Sequence, residues 1–321
     1  MDLLDITHVS ALLANCKKAV IGVSGGIDSI TMLHWFAANR KLLQCELTAM
    51  HIDHGIHQDS DKWAEFVKKE CKALGFQCTV VKVSLDGLGN NLEYAARKAR
   101  YKAFCESNAD SIILAHHAND QCENFFLKLF RGSGIRGLKS MVANSPCWYD
   151  TNIAVIRPML DVPRSQIELW AEENHVVGVE DPSNLDNKYD RNYIRNCVWP
   201  AIMDKFGIAD INTIRSIKHL EEAWQLTTAL ADIDLSAVTL ADGSMDWYKI
   251  KDLGYLRIKN MLLRLLGQAQ VYSFSIGQVE QFANGLLNAS LDNRNQLSVK
   301  GLVLNKIGNR VIIERCHQQA A

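Results

Sequence analysis

Short apolar runs alternate with stretches of helical periodicity along the first two hundred residues. Val20–Val23, Glu46–Ile52, Cys78–Val83 and Ser111–Ala115 read as strands. Helical patterns follow each of them, over Ile27–Asn39, Ser60–Leu74, Asn91–Ser107 and Asn119–Phe130. A βαβα rhythm of this kind predicts an α/β fold with a parallel sheet covered on both faces. In such sheets ligands bind beyond the carboxyl ends of the strands, so Ser24, His51 and His116, each closing a strand, are expected on one edge. After about residue 205 the rhythm changes. Ile211–Asp232, Leu253–Leu266 and Ile276–Leu287 read as helices, and Gln296–Arg315 as short strands with turns at Gly301 and at Gly308-Asn309. The expected organisation is an α/β domain over 1–205 and a smaller, mainly helical domain over 206–321, joined near Lys205-Phe206-Gly207.

Composition narrows the classes. A chain of 321 residues exceeds one ordinary domain, and 48% hydrophobic residues supply real cores. The net charge of −1 excludes a globally basic nucleic-acid binder, although local patches remain open. Nine cysteines without a Cys-x-x-Cys pair suggest reduced thiols and a cytoplasmic location, and argue against a structural zinc or an iron–sulfur site. The start Met1-Asp2-Leu3-Leu4-Asp5 lacks the basic region of a signal peptide. No apolar run approaches a membrane span, so no membrane partner is expected.

The chemistry concentrates at Ser24-Gly25-Gly26-Ile27-Asp28-Ser29, where the strand-like run Ala19–Val23 meets the helix. Glycines let the backbone approach an oxyanion, and a helix N-terminus points unpaired N–H groups at it. The hydroxyls of Ser24 and Ser29 can donate to phosphate oxygens. The carboxylate of Asp28 suits Mg²⁺ bridging to a polyphosphate. A plain glycine turn without ligand is the alternative. A second glycine segment, Gly132-Ser133-Gly134-Ile135-Arg136-Gly137-Leu138-Lys139, has the letters of a dinucleotide fingerprint but follows a helix instead of a strand. With Arg131, Arg136 and Lys139 it reads as a flexible loop facing a polyanion.

Asp120, Glu123 and Asn124 share a helix face after His116-His117. They are either first-turn dipole choices or carboxylates that hold Mg²⁺ or deprotonate an attacking amine. Arg97 and Arg100 lie with Glu93 on one face of an alanine-rich helix, as a solvated face or as a pair aimed at phosphates. Histidines at 51, 54 and 57 tempt toward zinc, but no cluster supports it, and the strand end at His51 is better placed to meet an adenine. Arg191 and Arg195 form a basic stripe after Asp181-Pro182-Ser183-Asn184, able to close over a nucleotide or touch RNA. Finally, Lys249, Lys251, Arg257, Lys259 and Arg264 stand against Asp252 alone, with Trp247, Tyr248 and Tyr255 nearby. That reads as a patch for phosphates and bases, or as a solvated face.

Ser24–Ser29 resembles the PP-loop of the ATP pyrophosphatases. Together with His51–Gly55, the Asn91–Tyr101 segment, His117–Glu123, Arg131–Leu138, Arg157-Pro158 and Asp181 through Arg195, it is similar to the tRNA(Ile)-lysidine synthetases over most of residues 16–204. The resemblance implies a Rossmann-like sheet of the adenine nucleotide α-hydrolase type and a small C-terminal tRNA-binding domain; longer members of the family carry a further C-terminal domain beyond the span matched here. Two positions depart from the family pattern: Asn119 stands for an aspartate and Asn124 for a threonine.

The resemblance also implies a reaction. ATP adenylates the C2 oxygen of the wobble cytidine in tRNA(Ile) with anticodon CAU. L-Lysine then displaces AMP to form lysidine. Asp28, Asp120 and Glu123 would carry the chemistry, with Mg²⁺ on Asp28. Ser24 to Ser29 and His51 would hold ATP. Arg97, Arg100, Arg131, Arg191, Arg195, Lys251, Arg257 and Lys259 would meet the tRNA. A homodimer is admitted. A PP-loop tRNA thiolase and a small-molecule ligase of the same superfamily are the rival readings.

Overall fold

The computed structural model describes residues 2–55, 57–83, 92–271, 273–299 and 301–315. The chain divides into two compact units, residues 1–218 and 219–321. The division falls within the long helix α10 (Ala209–Val238), past the junction expected at 205. The reason is packing: Ala209 is buried with Cys122 and Trp199 of the first unit, and Ile214 lies against them.

In the first unit, helix α1 (Ile6–Leu12) precedes strands β1 (Lys18–Gly22), β2 (Glu46–Asp53), β3 (Cys78–Lys82) and β4 (Ser111–Ile113). The strands β5 (Asn144–Pro146) and β6 (Ala154–Ile156) complete one sheet in the order β3-β2-β1-β4-β6-β5. All pairings are parallel except that of β5 with β6. The antiparallel edge strand departs from the all-parallel expectation; its three residues carry too little pattern to be read.

Helices α2 (Ile27–Asn39), α3 (Ser60–Ala73), α4 (Leu92–Cys105) and α5 (Ala118–Phe130) follow the first four strands in turn. Asn91, expected to open α4, lies outside the described residues. One face of the sheet carries Ala19 and Ile21 into a core with Ile30, Leu33, Phe36 and Val67. The other carries Val20, Ile112 and Val155 against Tyr101 and Phe104 of α4. Burial on both faces is why β1 reads as an unbroken apolar run. The strand order reverses at β1, so the carboxyl ends of β1 and β4 flank a topological switch point.

After α5 come the short helix α6 (Ile135–Leu138), α7 (Arg164–Glu173), α8 (Asp190–Tyr193), a π-helical turn over Ile194–Val198, and α9 (Trp199–Phe206). The glycine loop around α6 is tied to α5, which corrects the picture of a loop left free. Gln121 accepts from Met141 N–H at 2.9 Å and donates to Met141 O at 2.8 Å, and Asn124 donates to Ser140 Oγ at 2.7 Å.

The second unit joins α11 (Trp247–Asp252), α12 (Tyr255–Gln268) and α13 (Ile276–Asn288) to an antiparallel sheet. Its strands are β7 (Met245–Asp246), β8 (Asn295–Val299), β9 (Leu302–Ile307) and β10 (Arg310–Arg315), in the order β7-β10-β9-β8. Ile258, Met261, Leu262 and Leu266 of α12 recur at helical spacing and meet Val279, Phe282 and Leu286 of α13 in the core. Glycines at positive φ, Gly301 (88°) and Gly308 (57°), sit in the two hairpin turns where they were expected.

Lys306 of β9 is fully buried here. Its ammonium donates to the carbonyls of Ser290, Leu291 (2.9 Å) and Asn293 (2.8 Å) and lies 4.3 Å from the Trp247 ring centroid. Methionine at 306 keeps the bulk and strands three carbonyls. Thermal or denaturant unfolding of Lys306→Met is expected to show a loss of about 3 kcal/mol. An unchanged midpoint would remove the lysine from the account of this core.

Candidate active site

The loop between β1 and α2 is braced by one hydroxyl. Ser29 Oγ accepts from the N–H groups of Ser24 and Gly25, each at 3.2 Å, and donates to Gly26 O at 2.9 Å. Gly25 takes φ +97°, a conformation that favours glycine. Gly26 is the N-cap of α2, and no side chain caps that turn, which leaves the helix start open toward an anion. Ser24 Oγ lies 3.1 Å from Ser29 Oγ. Of the two serines, Ser29 is thus committed to holding the bend.

The other wall of this loop comes from a segment without a recognisable motif. Val179 N–H donates to Gly25 O at 2.9 Å. A Cβ on Gly178 would stand 2.4 Å from Ile27 N and 2.6 Å from Ile27 Cα. Only glycine lets the two backbones approach so closely.

A cavity of about 410 Å³ opens beside the loop, at the carboxyl edge of the sheet. Ser24, Asp28 and His116 line its polar side, and Met50, Ile52 and Phe104 an apolar side. This size and mixture suit a nucleoside. His51 Nδ1 donates to Val23 O at 2.8 Å, and burial holds its pKa below the ordinary value, so the neutral ring turns Nε2 away as an acceptor. Gly55 N–H donates to Asp53 Oδ1 at 2.8 Å and shapes the turn. His57 instead stacks on Trp63, with ring centroids 4.8 Å apart. Among the described residues no group of three His, Cys, Asp or Glu side chains is placed to hold a metal ion.

Asp28 points its Oδ1 into buried space with no hydrogen-bond partner among the described residues. An unpartnered buried carboxylate oxygen next to a helix start that no side chain caps fits Mg²⁺, which binds through one or two carboxylates and completes its shell with phosphate oxygens and water. The other oxygen lies 3.7 Å from His117 Nε2, which in turn is 3.4 Å from Asp120 Oδ2. Burial disfavours a charged His117, but Asp28, Asp120 and Glu123 outweigh it and raise its pKa. The neighbouring His116 has the opposite fate: burial, assisted by Arg157, Arg191 and Arg100, pushes its pKa down to about 3.

Asp120 and Glu123 are buried and fully engaged. Arg191 donates to Asp120 Oδ1 at 2.6 Å and to Glu123 Oε2 at 2.7 Å. Arg195 donates to Glu123 at 2.6 and 3.0 Å and approaches Asp120 at 3.4 Å. Burial would raise the pKa of Asp120, but His117 and Arg191 outweigh it and hold the carboxyl below its ordinary range. The stripe of Arg191 and Arg195 and the two carboxylates, read separately along the chain, form one network.

Asn119 has a structural task. Its Oδ1 accepts from Arg164 N–H at 3.0 Å, at the start of α7. Asparagine and aspartate cap comparably, so the departure at 119 keeps the contact. Asn119→Asp is expected to leave stability within about 0.5 kcal/mol, and Asn119→Ala to cost about 1 kcal/mol, both read by denaturant unfolding. Equal losses in both variants would contradict the capping role.

The remaining site candidates scatter. Arg100 lines the cavity, and Arg97 lies over the Tyr101 ring at 5.1 Å. Arg131 pairs with Asp190 at 2.9 Å on the surface. In the second unit, Lys251 leans over Trp247 and reaches Ala289 O at 3.4 Å. Arg257 pairs with buried Asp234, Lys259 with Glu280 at 2.6 Å, and Arg264 with Asp232 at 2.7 Å. Most of the positive excess counted along 249–264 is met by carboxylates of α10 and α13, while Lys249 and Lys251 bond to backbone carbonyls, so the segment is not the uncompensated basic patch expected.

A family model described as a PP-loop domain matches residues 5–202. The tRNA(Ile)-lysidine synthase of Actinobacillus pleuropneumoniae serotype 3 is 35% identical over 295 residues, 90% of this chain and 68% of that protein. The synthase of Nitrosomonas europaea is 31% identical over 94% of this chain and 64% of its own length. For that of Haemophilus ducreyi the values are 32%, 90% and 66%. The chain thus spans somewhat under two thirds of the length of these last two relatives. Among solved structures, the U34-tRNA thiolase of Methanococcus maripaludis, with its 4Fe-4S cluster, aligns at a TM-score of 0.53 and 18% identity. That alignment covers 64% of this chain and 73% of the thiolase, a likeness of fold.

Proposed function

The chain belongs to the tRNA(Ile)-lysidine synthase family, with its PP-loop domain over residues 5–202, and from that premise we propose that it ligates L-lysine to the wobble cytidine of tRNA(Ile) with anticodon CAU, at the expense of ATP. The observation that carries the reading is the braced bend at 24–29 beside the cavity, with the unpartnered oxygen of Asp28 between them.

The nucleoside of ATP occupies the cavity, with His51 and the apolar residues at the strand ends around the adenine. The phosphates lie against Gly25, Gly26 and the first turn of α2. When bound to Asp28, Mg²⁺ supplies charge neutralisation on the phosphates. The cytidine C2 oxygen attacks the α-phosphorus, the bond to the β-phosphate oxygen breaks, and pyrophosphate leaves. The C2 centre is now activated, because AMP is a far better leaving group than an amide-like oxygen. The ε-amine of lysine, arriving as its free-base fraction, adds to C2. The C2–O bond then breaks, AMP departs, and the new C–N centre sheds a proton.

Attachment to an electron-poor ring makes that proton acidic, so a carboxylate held ionised is base enough to accept it. Asp120 is such a group. Glu123, bonded to Arg191 and Arg195, fixes Asp120 in place.

The test is incorporation of labelled lysine into purified tRNA species in the presence of ATP. The reading expects label at the wobble position of the CAU-bearing isoleucine tRNA, with AMP and pyrophosphate formed in equal amounts. Sulfur incorporation from a sulfide donor without lysine incorporation, or AMP release that needs no tRNA, would replace it with one of the rival chemistries.

A further inference from the structure

The flank of α4 carries aromatic side chains that the reaction above does not use. Tyr94 is 58% exposed, Trp148 43% and Tyr149 38%, the last two from the turn between β5 and β6. They are not scattered. The ring centroid of Trp148 lies 6.1 Å from that of Tyr94, 5.7 Å from buried Tyr101 and 6.0 Å from Tyr149. Tyr101 anchors the group in the core behind the sheet. Cations accompany the rings: Arg97 and Lys98 are exposed on α4, and the Arg97 guanidinium lies over Tyr101 at 5.1 Å. Nearby acids are occupied, Glu106 by Lys102 and Asp150 by the Asn152 turn.

We infer that this surface is a stacking platform for one or two splayed nucleotides of single-stranded RNA. Three observations favour RNA over a protein partner. The rings stand beside the exposed cations Arg97 and Lys98, as bases with their phosphates require. A base needs only a flat face and a cation, which this small anchored cluster supplies. The platform also shares its helix with the cavity: Arg100 lines the cavity, three residues from Arg97 and six from Tyr94. At the rise of an α-helix this places the rings within roughly 10 Å along the axis from the proposed ATP site, the reach of a neighbouring nucleotide. The inference rests on the proposed function, since it assigns part of the RNA substrate to this flank.

The probe is an anticodon stem-loop RNA carrying CAU, labelled and titrated with the full chain by fluorescence anisotropy over a range of salt. Tyr94→Ala combined with Trp148→Ala is expected to weaken binding by about tenfold or more, while ATP affinity is unchanged. Because stacking releases no counterions, the salt slope should stay that of the wild type. Lys98→Ala should instead lower the slope by about one. Trp148→Phe with Tyr94→Phe keeps the platform and should restore affinity, which separates stacking from mere loss of folding. RNA affinity within twofold of wild type in the double alanine variant overturns the platform and leaves the proposed function standing. A wild-type chain that binds ATP but no RNA overturns both.

Discussion

Asp28→Ala is expected to lower pyrophosphate release from ATP in the presence of tRNA by about a thousandfold, the loss of several kcal/mol of charge stabilisation on the phosphates. The substitution should leave the fold intact, and this makes it informative. Asp28 Oδ1 has no hydrogen-bond partner among the described residues, and Oδ2 only faces His117 at 3.7 Å. The unpartnered Oδ1 costs the native state while Oδ2 gains from the charged His117, so the two offset and the melting temperature should change little. Activity lost at nearly unchanged stability is the signature of a group kept for its ligand. Near-normal turnover would take Asp28 out of the phosphate site.

Gly178→Ala should be nearly as damaging, although no motif marks the residue. A methyl there meets Ile27 N at 2.4 Å and Gly26 C at 3.0 Å, and both are backbone atoms that no rotamer can move aside. The loop must shift by a good part of an ångström, or the segment carrying Val179 must release Gly25 O. Displacements of that size cost about a hundredfold in rate where a reacting group must be positioned, and under the proposed function they also weaken the hold on ATP. Isothermal titration with a nonhydrolysable ATP analogue reads the effect directly. Alanine at 134, whose Cβ would meet no atom within 4 Å, is the control and should bind as wild type does. Equal affinity for the Gly178 variant would show that the close approach is dispensable.

What the sequence made legible follows from the range of the interactions involved. Helix α2 begins and ends where its periodicity says, and the strands at 295–315 fall between their glycine turns, because burial pattern and turn chemistry are local. The geometry of the bend at 24–29 was legible for the same reason, since its bracing hydroxyl, glycines and carboxylate lie within six residues. The network of Asp120 and Glu123 with Arg191 and Arg195 was not. Each half was visible as a helix face, but about seventy residues separate them, and spacing along a chain says nothing of that distance. The basic segment at 249–264 misled for a related cause: a charge count along one stretch omits Asp232, Asp234 and Glu280, which other helices bring to it. Gly178 was invisible because its constraint is imposed wholly by the opposing backbone.

The proposed function requires that the α-phosphate of ATP be the group transferred. The direct measurement follows α-³²P from ATP incubated with the protein and CAU-bearing tRNA(Ile), with lysine withheld. Label should accumulate in the tRNA as a covalent adenylate and be discharged as AMP when lysine is added. Label that never enters the tRNA, or that appears as ADP with the γ-phosphate released, would contradict the assignment of the bend at 24–29 to this chemistry.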